Sequence, residues 1–116
     1  MTRVKRGLVA HRKHKKLLNL NKGYRGTKSK LVKVAKEASL HAGQYAFQGR
    51  KNKKRDFRQL WITRISEAVK QEGISYSKFM AAMTKKKIGL DRKILSDLVL
   101  NDRETFKKIV EQAKKA

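Results

Sequence analysis

RKNKKRDFRQLWITRI, residues 50–65, begins as nearly continuous positive charge and ends as an amphipathic stretch carrying the only tryptophan of the chain. On a helix advancing 100° per residue, Phe57, Trp61, Ile62, Ile65, Ala68 and Val69 share one broad arc. Lys51, Lys54 and Arg58 fall on that arc one to three turns earlier. One side of one rod is therefore expected to meet a hydrophobic core at its C-terminal end and an anion at its N-terminal end. The pattern predicts a helix from Lys51 to Glu72, stopped by Gly73. The chain has no proline to break it. Trp61, flanked at four residues by Phe57 and Ile65, reads as core rather than as a base-stacking residue. Phe57, Leu60, Trp61 and Ile65 are expected to anchor a basic arm to a folded body.

Charge supports that division. The chain has 116 residues, with 32 Lys and Arg against nine acids and a formal net charge of +23. Residues 1–58 hold 19 of the cations and only Glu37 and Asp56; residues 59–116 hold 13 cations and seven acids. This asymmetry is that of a nucleic-acid-binding arm on a folded domain. As continuous helix the first 58 residues would span about 87 Å, one cation per roughly 4.6 Å. That spacing lies inside the Debye length of about 8 Å at physiological salt. Self-repulsion and a shortage of apolar area predict an arm that orders on a dense polyanion, where counterion release replaces repulsion.

Along the arm, Arg3, Lys5 and Arg6 form a short basic lead. A helix is predicted from Leu8 to Leu20, with Gly23 as its stop. It packs Arg12, Lys13, Lys15 and Lys16 into five positions, with Leu17, Leu18 and Leu20 as its apolar side. The loop Lys22-Gly23-Tyr24-Arg25-Gly26 sets one aromatic between two cations. Tyr24 has two open readings, a stack on an unpaired base or packing on the next helix. A second helix is predicted from Thr27 to about Tyr45, with Thr27 or Ser29 as N-cap. Its stripe of Leu31, Ala35, Ala38, Ala42 and Ala46 is too small to hold a core, at about 0.8 kcal/mol per buried methylene-sized group. Lys28, Lys30, Lys33 and Lys36 ring its first half, where Glu37 is the only acid available for pairing. Tyr45 is the second stacking candidate. Arg50, Lys51, Lys53, Lys54, Arg55, Arg58 and Arg64 complete the candidate RNA-binding set.

The C-terminal region reads as short helices. Ser75 is a cap candidate for a helix using Phe79, Met80 and Met83 and ending near Lys87, before Gly89. Asp91 caps the next, built on Leu90, Ile94, Leu95, Leu98 and Val99. Asn101 and Glu104 have capping-box spacing, with Asp102 as the alternative cap, ahead of Phe106, Ile109 and Val110. Basic groups at Lys78, Lys85, Lys86, Lys87, Arg92 and Lys93 read first as a solubilising surface. Four helices from about residue 51 onward make an all-α body near the lower size limit for independent folding.

Other function classes find little support. There is no cysteine, so neither a disulfide framework nor a Cys-based zinc site is expected. His11 and His14 are three residues apart but lack the further ligands a zinc site needs, so no metal and no cofactor is expected. No nucleophile–base pattern or glycine-rich phosphate loop is present, which argues against an enzyme and against a small-molecule substrate. No apolar run approaches a bilayer span, no secretory signal is visible, and the alanine stripe is too small for a membrane-surface helix.

Specific blocks then carry a family resemblance. They are MTRVKRG at 1–7, His-Lys-Lys at 14–16, Lys-Gly-Tyr at 22–24, Ala-Gly-Gln-Tyr-Ala at 42–46 and KRDFRQLWITRI at 54–65. Gly-Ile-Ser-Tyr-Ser-Lys-Phe at 73–79 and Leu-Asp-Arg-Lys-Ile-Leu at 90–95 continue the series. Together, in this order and over nearly the whole chain, they resemble the family of the bacterial-type large-subunit ribosomal protein numbered twenty. The chain departs from it at Ser66-Glu67, where the family usually has Asn-Ala, and at Ala81-Ala82-Met83, where it usually has a glycine-leucine pair.

The resemblance implies a long helical extension threaded between RNA helices, a small all-α domain, and direct binding of large-subunit ribosomal RNA early in assembly. It also implies neighbouring ribosomal proteins as partners, repression of the protein's own messenger in some bacteria, and no catalysis. It places the protein in the cytoplasmic ribosome of a bacterium, with a plastid ribosome second. The expected division is 1–58 as RNA-binding extension and 59–116 as globular domain. An architectural protein of duplex DNA is the alternative that composition alone leaves open.

Overall fold

The computed structural model describes residues 2–115; Met1 and Ala116, the outer ends of the two expected domains, lie outside them. The described residues are all helical in class, with no strand. Helix α1 is Gly7–Leu20, a 3-10 turn covers Gly26–Ser29, and α2 is Val32–Gln71. Three short helices follow: α3, Tyr76–Lys85; α4, Arg92–Asn101; α5, Arg103–Lys114.

Two expected helices, 27–45 and 51–72, are in fact one helix of 40 residues. Gly43 and Gly49 lie inside it. Each costs a helix about 1 kcal/mol relative to alanine, too little to end one when no proline follows. Thr27 and Ser29 are not N-caps of this helix, because both sit in the 3-10 turn. The Thr27 carbonyl instead accepts from the backbone N–H groups of Lys30 and Leu31, at 3.0 and 2.9 Å.

The chain divides into two units, Met1–Lys51 and Asn52–Ala116, and α2 contributes residues to each. In the first unit the buried residues, among those described, are Ala35 and Asn21. The Asn21 amide donates to the Ala35 carbonyl at 2.6 Å and to the Lys28 carbonyl at 3.3 Å. Gly23 and Gly26 take φ of +89° and +65°, left-handed values that a side chain would strain, and the chain turns there.

The second unit has a continuous apolar core. Ile65, Ala68 and Val69 of α2 pack with Phe79 and Met83 of α3, Leu95 of α4, and Phe106, Val110 and Ala113 of α5. The rings of Phe79 and Phe106 meet at 6.1 Å between centroids, tilted by 55°. Helix α2 ends as expected at Gly73, φ +80°. The Ile74 N–H reaches back to the Val69 carbonyl and the Gly73 N–H to that of Lys70, the paired bonds of a Schellman stop. Asp91 caps α4, its carboxylate accepting from the Ile94 N–H at 2.8 Å.

Two expectations for this unit need correction. Phe57 and Leu60, expected as anchors, are 45% and 40% exposed, and Trp61 is half-buried; the core begins at Ile65. The box of Asn101 and Glu104 does not form, because Asn101 closes α4 with its amide on Asp97, and Asp102 caps α5. Helix α3 ends near Lys87 and before Gly89, as expected, with Lys87 itself in the left-handed region, φ +54°.

Candidate nucleic-acid interface

The first unit concentrates charge that nothing in it neutralises. Residues 1–51 carry 15 Lys and Arg against Glu37 alone. Arg3, Lys5, Arg6, Arg12, Lys13, Lys15, Lys16, Lys22, Arg25, Lys28, Lys30, Lys33, Lys36, Arg50 and Lys51 are all exposed. Among the described residues the one ion pair is Lys70 with Glu67, 3.1 Å, in the second unit. The arm cations therefore stand in solvent with their full charge available to phosphate.

Helix geometry sorts these cations into local sites. Lys5, Arg6 and Lys13 line a depression of about 380 Å³ on α1 with Val9, Ala10 and His14. His14 thus lies among cations, and no group of three metal-ligating side chains occurs among the described residues. Lys28 faces a second depression of about 450 Å³ on α2, lined also by Val34, Glu37, Ala38, Leu40, His41 and Gln44. The small Ala38 of the alanine stripe forms part of its wall. The His41 imidazole meets the Tyr45 ring edge-on at 4.4 Å, one turn along.

Both stacking candidates are accessible. Tyr45 is 66% exposed, and Tyr24, in the turn, is 37% exposed. Phe47, absent from the sequence-based set, is 53% exposed, and the Lys51 ammonium lies 4.5 Å from its ring centre. Its signal was available in the sequence, since an aromatic four residues before a lysine on a helix forms a cation–π pair. An exposed ring braced by a cation is suited to a nucleobase face.

In the second unit, Lys53, Lys54, Arg55 and Arg58 are exposed along α2, where Arg55 donates to the Asn52 side-chain oxygen at 3.2 Å. Phe57 stacks on Trp61 at 6.2 Å and 29°. Arg64 differs from the other predicted contacts. It is half-buried in a groove of about 500 Å³ shared with Trp61, Ile94, Asp91 and Asp97. Arg92, counted above as surface charge, donates from Nε to the Tyr76 hydroxyl at 2.8 Å and ties α4 to α3.

A family model described as ribosomal protein L20 matches residues 3–109, which takes in both units' basic segments and the core residues through Phe106. The chain belongs to the ribosomal protein L20 family. It is similar to the large ribosomal subunit protein bL20 of Bordetella petrii, 53% identical over 116 residues, covering all of this chain and 98% of that one. It is 50% identical over 114 residues to the protein of the same name from Marinobacter nauticus, covering 98% and 97% of the two chains. The L20 family is a structural, non-enzymatic component of the ribosome. The unpaired cations of the first unit are thus a ribosomal protein's, and among the described residues no helix is long and apolar enough to cross a membrane.

Proposed function

We propose that this chain is a structural constituent of the large ribosomal subunit that binds large-subunit ribosomal RNA directly and supports early subunit assembly. The observation that carries the reading is the set of 15 exposed Lys and Arg in residues 1–51 facing a single acid, none in an ion pair among the described residues. Such a surface gains by exchanging condensed counterions for itself on a phosphate backbone. Tyr24, Tyr45 and Phe47 add base faces to the phosphate contacts, so the arm has means to hold unpaired nucleotides beside duplex RNA. We take residues 1–58 as the RNA-binding extension and 59–116 as the domain that carries it. The cytoplasmic bacterial ribosome is its place of action, and repression of its own messenger is a second use of the same RNA-binding surface.

Affinity for large-subunit ribosomal RNA tests this. If six to ten phosphates are neutralised, affinity falls about 10³- to 10⁵-fold between 50 and 200 mM salt. A flat dependence overturns the phosphate mechanism. Competition with duplex DNA at moderate salt separates RNA recognition from an architectural DNA-binding role. The family relationship favours RNA.

A further inference from the structure

The groove that holds Arg64 combines both signs of charge with open apolar side chains. Its sides come from Trp61 and Arg64 on α2 and from Ile94, Asp97 and Leu100 on α4, all within the second unit. Ile94 is 45% exposed and Leu100 60% exposed, so an apolar strip lies open beside a half-buried tryptophan. Arg64 and Lys93 are offset by Asp91 and Asp97, which leaves the groove near neutrality on a chain of net charge +23. The Asp97 carboxylate accepts from the Asn101 amide on one oxygen, and the other remains available. The Ser96 hydroxyl, buried at the groove, has no hydrogen-bond partner among the described residues. A buried polar group without a partner is uncommon in a finished structure.

A groove whose charges cancel gains little from a phosphate backbone, and its exposed aliphatic side chains suit a polypeptide, whose interfaces combine an apolar centre with paired polar groups at the rim. We propose that this groove docks a segment of a neighbouring large-subunit protein, one that sets an apolar side chain against Trp61, Ile94 and Leu100 and a Lys or Arg against Asp97. That the neighbour belongs to the large subunit rests on the function proposed above; the groove's preference for protein over RNA does not.

The test places the photoreactive p-benzoylphenylalanine at position 100 of the full chain, assembled into large subunits and irradiated. The expected product is a crosslink to one other polypeptide, resistant to ribonuclease, at a residue beside a Lys or Arg. D97K is expected to lower its yield by about fivefold or more, the effect of losing a paired charge at a contact rim. Leu100 is exposed, so thermal melting of the position-100 variant should match the parent. N101A, which breaks the same Asn101–Asp97 bond but keeps the carboxylate, should leave the crosslink yield unchanged. Crosslinking to RNA, to a second copy of this chain, or to nothing overturns the proposal. Ribosomal RNA affinity is measured on the unaltered chain in parallel. Its absence would count against RNA binding alone, because the crosslink reads the groove separately.

Discussion

The Asn21 side-chain amide donates to the Ala35 carbonyl oxygen at 2.6 Å, and both residues are buried. Asn21 is the C-cap of α1 and Ala35 lies in the first turn of α2, so this bond joins two helices across the Gly23–Gly26 turn.

Asn21→Leu keeps the volume and removes both donors. The Lys28 and Ala35 carbonyls then lose their side-chain partner, at a cost of about 1–3 kcal/mol for a buried polar group left unmet. In the RNA-bound chain, hydrogen exchange across residues 28–36 is expected to quicken by roughly 5- to 100-fold, while α3 to α5 keep their protection.

Tyr45 tests the base-stacking side of the interface. Stacking on an exposed aromatic is worth about 1–3 kcal/mol per base, so Tyr45→Ala should weaken ribosomal RNA binding by roughly 5- to 100-fold. Tyr45→Phe should bind as the parent does. The salt dependence should be unchanged in both, because no phosphate contact is lost; a shallower slope would assign Tyr45 to the backbone instead.

Lys87 is the one non-glycine residue with a left-handed backbone among those described, φ +54°. It occupies the position after the α3 cap, where the Ile88 N–H returns to the Met83 carbonyl at 3.0 Å. A side chain there costs about 1–2 kcal/mol, and glycine gives back part of that through the freer unfolded chain. Lys87→Gly is expected to stabilise the second unit by about 0.5–1 kcal/mol in urea unfolding. A loss of stability would show that the lysine makes a contact worth more than its strain.

The Asp102 carboxyl is held below its ordinary value of 3.8, first by the Thr105 hydroxyl and then by the Thr105 N–H, both donating to it. Lys108 adds attraction and slight burial opposes. A folded value below the unfolded one means the stabilisation is complete above the ordinary carboxylate range and is lost as pH falls through the folded value. The melting difference between the parent and Asp102→Ala should therefore be full at neutral pH and shrink below about pH 4. A constant difference would assign the effect to helix propensity rather than to the charged cap.

Helical class was legible from the chain itself, because no proline interrupts it and its apolar residues recur at helical spacing. Gly73 and Asp91 announced a helix stop and a cap through local chemistry alone, and the imbalance of Lys and Arg over acid announced a polyanion partner. The 40-residue run of α2 was less legible, since Gly43 and Gly49 look like boundaries until their small cost is weighed against an unbroken hydrogen-bond ladder.

What only the tertiary structure decided is which members of each pattern are covered. Phe57, Trp61 and Ile65 share one arc by periodicity, yet only Ile65 reaches the core formed with α3, α4 and α5. Asn101 and Asp102 have equal capping chemistry. Asp102 prevails because α4 runs through Asn101 and leaves one residue in which the chain can turn. Asn21 against Ala35 and Arg64 beside Asp97 follow the same logic. Residue type and spacing are local properties of a chain, whereas burial and company depend on which surfaces, distant in sequence, have closed over one another.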